Sequence, residues 1–397
     1  MKTKPISSKT MYKVTIGGWY QRTTLHLTEI YDLFSSGFSN LDLDKNNLKE
    51  YYRNFNFISV KREAGCLESI VALTKDGIEV KYYEDGLYVL QTEDENVVLA
   101  EDKLRKYHDN VLSPAVSFIF SKGAPTPKIL ANIKTVYPAG IGVIDESPSN
   151  YVIDESIFGT VYSKVESEGI VVFKTPKYIF VISKKNLIHT VSDIIEMQVF
   201  FREFKDQLQK YLNIHRNIWE EISTIKEQKQ IKGSQVNEIR GKLDSYQTSI
   251  SLIKNRINQM GIYVNTRSSL AKKLEIEDKL IELFEYKFEV LSDSLSYIKE
   301  VWAMTSDYLS SAIQNILEIK SQSTANGVES LRFITSISVL SSIIGYLSIK
   351  AWPAFSPRGV IYFVSILATA LILNLIVIRI YKNRSYKLKF GNRKENL

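Results

Sequence analysis

An α+β domain followed by long antiparallel stalk helices and a two-helix transmembrane hairpin is the fold class this sequence predicts. Three observations predict it. Between Pro176 and Pro353 lie 176 residues without proline, and because proline breaks helix interiors its absence permits long helices. Within that stretch apolar residues recur at alternating spacings of three and four, the mark of a helix seam. Near the C-terminus stand two apolar segments, 331–349 and 360–378, each 19 residues long, and about 20 apolar residues at ~1.5 Å rise span a bilayer core.

Residues 1–190 hold seven of the nine prolines and read as a cytoplasmic α/β domain. Strand-like runs rich in Val, Ile, Tyr and Phe occur at Met11–Ile16, Ile78–Tyr83, Leu87–Gln91, Ala115–Phe120, Thr160–Val165, Ile170–Phe173 and Tyr178–Ser183. Thr175-Pro176-Lys177 predicts a turn between two antiparallel strands, and Thr24–Ser35 and Glu101–Val111 predict helices.

Residues 191–330 read as a helical stalk. A first helix is expected over Val191–Ile231, with Gly233 and Ser234 interrupting it. A second is expected from Val236 to Met260, with a seam of Leu243, Tyr246, Ile250, Ile253, Ile257 and Met260 and an end at Gly261. The third, over Ile262–Asn326, has a seam of Phe284, Phe288, Leu291, Leu295, Ile298, Trp302, Thr305, Leu309, Ala312, Ile316 and Ile319, diluted only by Thr305 and Ala312. A seam this long requires partner helices to cover it. This helix is expected to feed directly into the first span; unbroken from Asn265 to Ile349 it would measure about 127 Å.

The expected hairpin comprises a first span at 331–349, a short external loop at 350–359 and a second span at 360–378. The first has one charge, Arg332, near its start; the second has none and no polar face to turn to water. Two buried helices of a large soluble core are the competing explanation. The tail 379–397 holds seven Lys/Arg against Glu395 alone, which accounts for six of the chain's net charge of +7. The positive charge therefore marks a juxtamembrane tail attracted to an anionic leaflet, and no nucleic-acid surface. With only Lys350 and Arg358 in the loop, both termini are placed on the cytoplasmic side of the cell membrane.

Catalytic chemistry is absent from the pattern, and no enzyme is expected. There is no P-loop, GxSxG or GxGxxG; Asp145-Glu146 and Asp154-Glu155 read as solvated loop pairs. The single cysteine, Cys66, and four scattered histidines exclude a thiolate metal site or an intrachain disulfide. Functional candidates lie on the long helix instead. Thr335, Ser338, Ser342 and Gly345 share one face of the first span, and such small and hydroxyl residues either line a wet pore or let helices pack closely. Ser323, Asn326 and Gly327, in a polar run just before the span, are hinge candidates, or else mark a solvated interfacial turn. Two spans cannot enclose a pore alone, so a channel needs several copies, with the first span inside.

This order of parts resembles the CorA family of divalent-cation channels. The resemblance covers residues from about 160 to the end; Lys177–His189 (KYIFVISKKNLIH), Tyr308–Gln314 (YLSSAIQ) and Leu331–Ile344 (LRFITSISVLSSII) look like the family's last strand with its turn into the stalk, its lower stalk, and the start of its first span. The resemblance implies a homopentamer in the bilayer, gated by its cytoplasmic domain, with no bound cofactor but with Mg2+ or another divalent cation as the conducted or sensed ion. Family members sense cations through carboxylates between subunits. Asp293, Glu300 and Asp307, spaced by sevens, are the sensor candidates here, against a merely solvated stripe. One departure matters: the family's Gly-Met-Asn signature is absent, and Ile349-Lys350-Ala351-Trp352-Pro353-Ala354-Phe355 stands in its place. Mg2+ selectivity therefore carries over less well than the fold, and the alternative is a membrane-tethered, ligand-gated effector or receptor, for example one activated by a nucleotide in defence.

Overall fold

A computed structural model of the chain describes residues 11–20, 27–121, 138–228, 230–347, 357–383 and 385–387. Contacts divide it into two units, Met1–Asn213 with Leu252–Glu300, and Ile214–Ser251 with Val301–Leu397.

The first unit is organised by a nine-stranded sheet. Its strands are β1 (Tyr12–Trp19), β2 (Phe57–Glu63), β3 (Ser69–Thr74), β4 (Glu79–Tyr83), β5 (Leu87–Asp94), β6 (Ala139–Ile144), β7 (Ser163–Ser167), β8 (Ile170–Lys174) and β9 (Tyr178–Ser183), in the order β2-β3-β4-β5-β1-β6-β9-β8-β7. Neighbours are antiparallel except β6 and β9, which run parallel. One face packs on α1 (Leu27–Ser36), α2 (Lys45–Phe55), α3 (Val97–Tyr107) and α4 (Ser113–Phe120), with Val14, Val80, Leu90, Ile141 and Phe180 of the strands in a common core with Phe34, Leu104 and Val116 of the helices.

Side chains alternate across a strand, so the intervening residues face the long helix α6 (Ile188–Glu227). Along β1, Lys13 donates to Ser192 at 3.0 Å, and Trp19 stacks on Phe204 at 5.8 Å between centroids. The middle of this face is glycine. A Cβ on Gly140 would lie 2.5 Å from Ile195 Cγ2, and one on Gly17 would lie 2.9 Å from Val199 Cγ1 and 2.7 Å from the Tyr88 carbonyl oxygen. These glycines let α6 lie directly on the sheet.

The remaining helices are α5 (Glu155–Phe158), α7 (Val236–Lys273), α8 (Glu277–Phe284), α9 (Phe288–Leu347) and α10 (Pro357–Asn383). Within the first unit, Gly261 of α7 approaches Leu295 and Lys299 of α9, while Phe201 of α6 packs on Phe288 at 4.7 Å. Within the second, Trp219 of α6 stacks on Tyr308 of α9 at 4.3 Å, and Glu221 pairs with Lys242 of α7 at 2.9 Å. In the second unit α6 and α9 advance together, His215 meeting Thr305 and Ser223 meeting Tyr308; in the first α7 runs against α6, with Arg256 beside Tyr211 and Arg267 over Phe200. The second unit also holds a two-stranded ladder of β10 (Gln230–Lys232) and β11 (Ser385–Lys387).

Several expectations are corrected. Ala115–Phe120 is helix α4, not a strand: it continues α3 through a π-helical turn over His108–Leu112 that precedes Pro114, and Ala115, Val116 and Ile119 are buried at helical spacing. Gly261 does not end the second helix; it sits inside α7, where its small size admits α9. The third helix does not begin at Ile262 or run unbroken from Asn265. The chain turns back over 274–287, and the continuous element is α9, 60 residues from Phe288. Both turns use left-handed residues, Glu275 (φ 55) and Glu285 (φ 59). The Ile276 N–H reaches the Ala271 carbonyl at 3.0 Å and the Tyr286 N–H reaches that of Leu280 at 3.2 Å, as in a Schellman cap. Glycine normally marks such a stop, and here glutamate fills it. Phe284 accordingly belongs to α8.

The seams themselves are as expected: Phe288, Leu291, Leu295, Ile298, Trp302, Thr305, Leu309, Ala312, Ile316 and Ile319 are all buried, as are Leu243, Ile250, Ile253, Ile257 and Met260, while Tyr246 is half-buried.

Gly140→Val is expected to destabilise the protein by about 1–3 kcal/mol through overpacking against Ile195; a chemical-denaturation midpoint unchanged from wild type would contradict the close packing of α6 on the sheet.

Candidate functional site

The candidates on α9 fall in two groups. Thr335 and Ser342 are exposed and Ser338 is half-exposed in the single chain; Gly345 lies outside the residues whose surroundings are described. Two of the hydroxyls are satisfied within the helix: Thr335 donates to the Leu331 carbonyl at 2.7 Å and Ser342 to that of Ser338 at 2.8 Å. Such back-bonded hydroxyls need no water for their protons and still offer lone pairs to a neighbouring helix or a passing ion. Ser336 off the stripe does the same, to Arg332 at 2.8 Å.

Around the hinge candidates α9 is helical throughout 321–327. Neither a turn nor a break occurs there. Among the described residues, and apart from its own helix backbone and chain neighbours, no atom stands within 4 Å of where a Cβ on Gly327 would be, while the side chains of Ser323 and Asn326 lie outside the described ones. Asp293, Glu300 and Asp307 are each exposed, opposite the buried seam. Among the described residues no three His, Cys, Asp or Glu side chains form a group able to hold a metal.

Among the described residues no helix is long and apolar enough to cross a membrane. The described side chains of α10 are interleaved with positions outside the description, and the loop 348–356 is outside it entirely. What is described of α10 is nonetheless informative. Ile361, Val364, Leu371, Ile372, Leu375, Ile376 and Ile380 are all exposed, Ile361 at 69% and Leu375 at 66%. Exposed apolar residues scattered singly are ordinary, whereas several along one helix mark a surface for a protein or membrane partner.

In the first unit the chemistry concentrates where the sheet meets α6 and α7. Asp85, in the turn between β4 and β5, receives Arg267 of α7 through two bonds, Nε to Oδ2 at 2.7 Å and Nη2 to Oδ1 at 3.0 Å. Both side chains are excluded from water, at 1% and 0% exposure. Asp85 also accepts the Leu87 N–H at 3.1 Å, and its carbonyl takes Trp19 Nε1 at 2.6 Å. Arg267 lies over the Tyr83 ring at 4.4 Å. Beside it Glu196 of α6 accepts Lys81 Nζ at 2.7 Å, Gln91 Nε2 at 3.0 Å and the Tyr83 hydroxyl. Burial, and then the Glu196 charge, push the neighbouring Asp193 carboxyl up to about 6.

Next to this network a groove of about 190 Å³ opens at the carboxyl ends of the parallel strands β6 and β9, lined by Lys13, Glu93, Gly142, Ser183, Val191 and Ser192. Crevices at the carboxyl ends of parallel strands commonly take ligands in α/β sheets.

In the second unit His215 Nδ1 meets Thr305 Oγ1 at 2.6 Å. The Thr305 hydroxyl also lies 2.8 Å from the Val301 carbonyl, and with its proton placed there the imidazole Nδ1–H is the donor to Oγ1. Burial first, and then Arg216, depress the His215 pKa, which favours the neutral ring. The polar interruption of the seam at Thr305 is thus matched by a polar residue on α6 and fixes the register of the two helices.

Sequence reasoning missed Asp85, Arg267 and Glu196. The hairpin turn Asp85-Gly86 was a local signal for the first; nothing local distinguishes the other two from surface charges, since their burial depends on the packing of α6 and α7. The acidic pairs are structural: Asp145 accepts the Ser147 N–H at 2.8 Å, and Asp154 accepts that of Ser156 at 3.0 Å, capping α5.

No family model and no curated protein matches the chain. Among solved structures it is similar to one described as the complete structure of the CorA magnesium transporter from Methanocaldococcus jannaschii, with 11% identity, a TM-score of 0.27, and coverage of 63% of this chain and 92% of that chain. At that score the likeness carries no argument about function.

Asp85→Asn or Arg267→Met alone is expected to cost about 3–5 kcal/mol, because each strands a buried charge or its partner, whereas the double variant should lose clearly less than the sum. Strict additivity in chemical denaturation would show that the pair is not coupled.

Proposed function

We propose that the chain is a subunit of a CorA-like homo-oligomeric membrane channel for cations, gated by its N-terminal α+β domain through α9. The observation that carries this reading is the continuity of α9: one helix of 60 residues whose first half buries a seam and whose C-terminal part is the apolar sequence 331–347. A helix continuous over that length can pass a displacement at the α6–α9 contacts to the apolar segment.

Membrane embedding is supported by the uncharged sequence 360–378 and by the exposed apolar row on α10. In this reading α9 lines the pore with Thr335, Ser338 and Ser342, α10 faces lipid, and the basic tail stays on the cytoplasmic side. Repeated copies of the hydroxyl face would offer oxygen ligands to a partly hydrated cation.

The sequence at the outer loop favours a second reading for selectivity. Lys350 and Arg358 replace acidic residues where a divalent cation would enter, and no Gly-Met-Asn follows the first span. A ligand-gated effector, with its ligand in the groove at the ends of β6 and β9, would not need Mg2+ selectivity.

Ser338→Leu and Ser342→Leu should each lower cation flux into proteoliposomes at least tenfold while leaving the detergent-solubilised mass unchanged. Unaltered flux in both would reassign the stripe to helix packing, and absence of flux from wild type with or without added ligands would leave a static scaffold.

A further inference from the structure

The strand that follows α10 does not trail away from the second unit. Ser385–Lys387 pairs antiparallel with Gln230–Lys232, in the connection between α6 and α7, with Gln230 opposite Lys387, Ile231 opposite Tyr386 and Lys232 opposite Ser385. The central pair is buried, Ile231 fully and Tyr386 at 7% exposure. Only Arg384 separates the end of α10 at Asn383 from the start of β11.

We infer that β11 is a detachable strap that fastens the α6–α7 connection to the C-terminal end of α10. Two features argue for this. The linkage is short: with a single residue between helix and strand, a displacement of the end of α10 either carries residues 230–232 with it or opens the ladder. The ladder is also small. Three residues on each side, with no third strand among the described residues, make a pairing of marginal stability in water, so it can open without unfolding the helices it joins. The pattern around Tyr386 fits the role, since Ser385 is exposed while Tyr386, paired with Ile231, is buried. The chain thus has a second mechanical link beside α9, joining α10 to the antiparallel helix pair. The inference needs only α10 and the ladder, and it holds whether or not ions pass through the protein.

The test uses the full chain in lipid nanodiscs with Cys66 replaced by serine. Gln230→Cys with Lys387→Cys, opposite each other in the register, should form an intramolecular disulfide under mild oxidant, identified by peptide mass; Gln235→Cys with Lys387→Cys should not. In separate hydrogen-exchange measurements Tyr386→Asp should speed exchange at 230–232 at least tenfold and leave the α7 seam at 243–260 unchanged. Failure of the Gln230–Lys387 pair to cross-link, or exchange at 230–232 indifferent to Tyr386→Asp, would overturn the strap. Because neither readout involves flux, a non-conducting protein would count against the channel alone.

Discussion

The apolar seam of α9 is the constraint from which the rest of the architecture follows. Phe288, Leu291, Leu295, Ile298 and Trp302 bury large side chains along one face, and each such side chain contributes about 1.5–3 kcal/mol only if other surface covers it. The cover comes from α6 and α7, which is why the chain must make two long helices and a reversal before α9 begins. The reversal at 274–287 then lets α9 start beside α6 in the first unit, where Phe201 meets Phe288, and within the second unit the two helices advance together, His215 meeting Thr305 and Ser223 meeting Tyr308.

A seam of hydrocarbon alone leaves helix register weakly specified. Polar pairs at chosen positions supply the specificity, at some cost in stability. His215 with Thr305 does so between α6 and α9, and Arg267 with Asp85 does so between α7 and the β4–β5 turn. The second pair is the more demanding, because both charges have left water; they are compensated by each other, by the Leu87 amide and by the Tyr83 and Phe200 rings over which Arg267 lies. Glu196, next to it, gathers donors from two strands onto α6. The first unit is thereby keyed to its helices by charge, while glycines at 17, 140 and 142 in the sheet make the close approach sterically possible.

Much of this was legible in the sequence, and the failures have physical causes. Seam positions were readable because burial enforces a 3-4 spacing that local sequence displays directly. Strands β4, β5, β8 and β9 were readable from their β-branched and aromatic runs. Strand β6, with the sequence Ala-Gly-Ile-Gly-Val-Ile, was not, since its glycines serve α6 and lower its strand propensity. The helix stops at Glu275 and Glu285 were hidden because glutamate occupies positions where glycine usually signals the left-handed turn. Of the candidate site, the hydroxyl stripe and the acidic stripe were visible as spacing, whereas the Asp85–Arg267–Glu196 network joins residues 71 to 182 positions apart and leaves no local trace. A polar run at 321–327 suggested a break, yet none of its residues prevents a helix, and the structure continues through it.

The central claim is that α9 serves as a strut in a ring of identical subunits, with its hydroxyl face toward a shared axis. Native mass spectrometry of the detergent-solubilised full chain tests this most directly. A single closed assembly of five copies is the predicted result; a monomer or dimer would leave no ring for the helix to line.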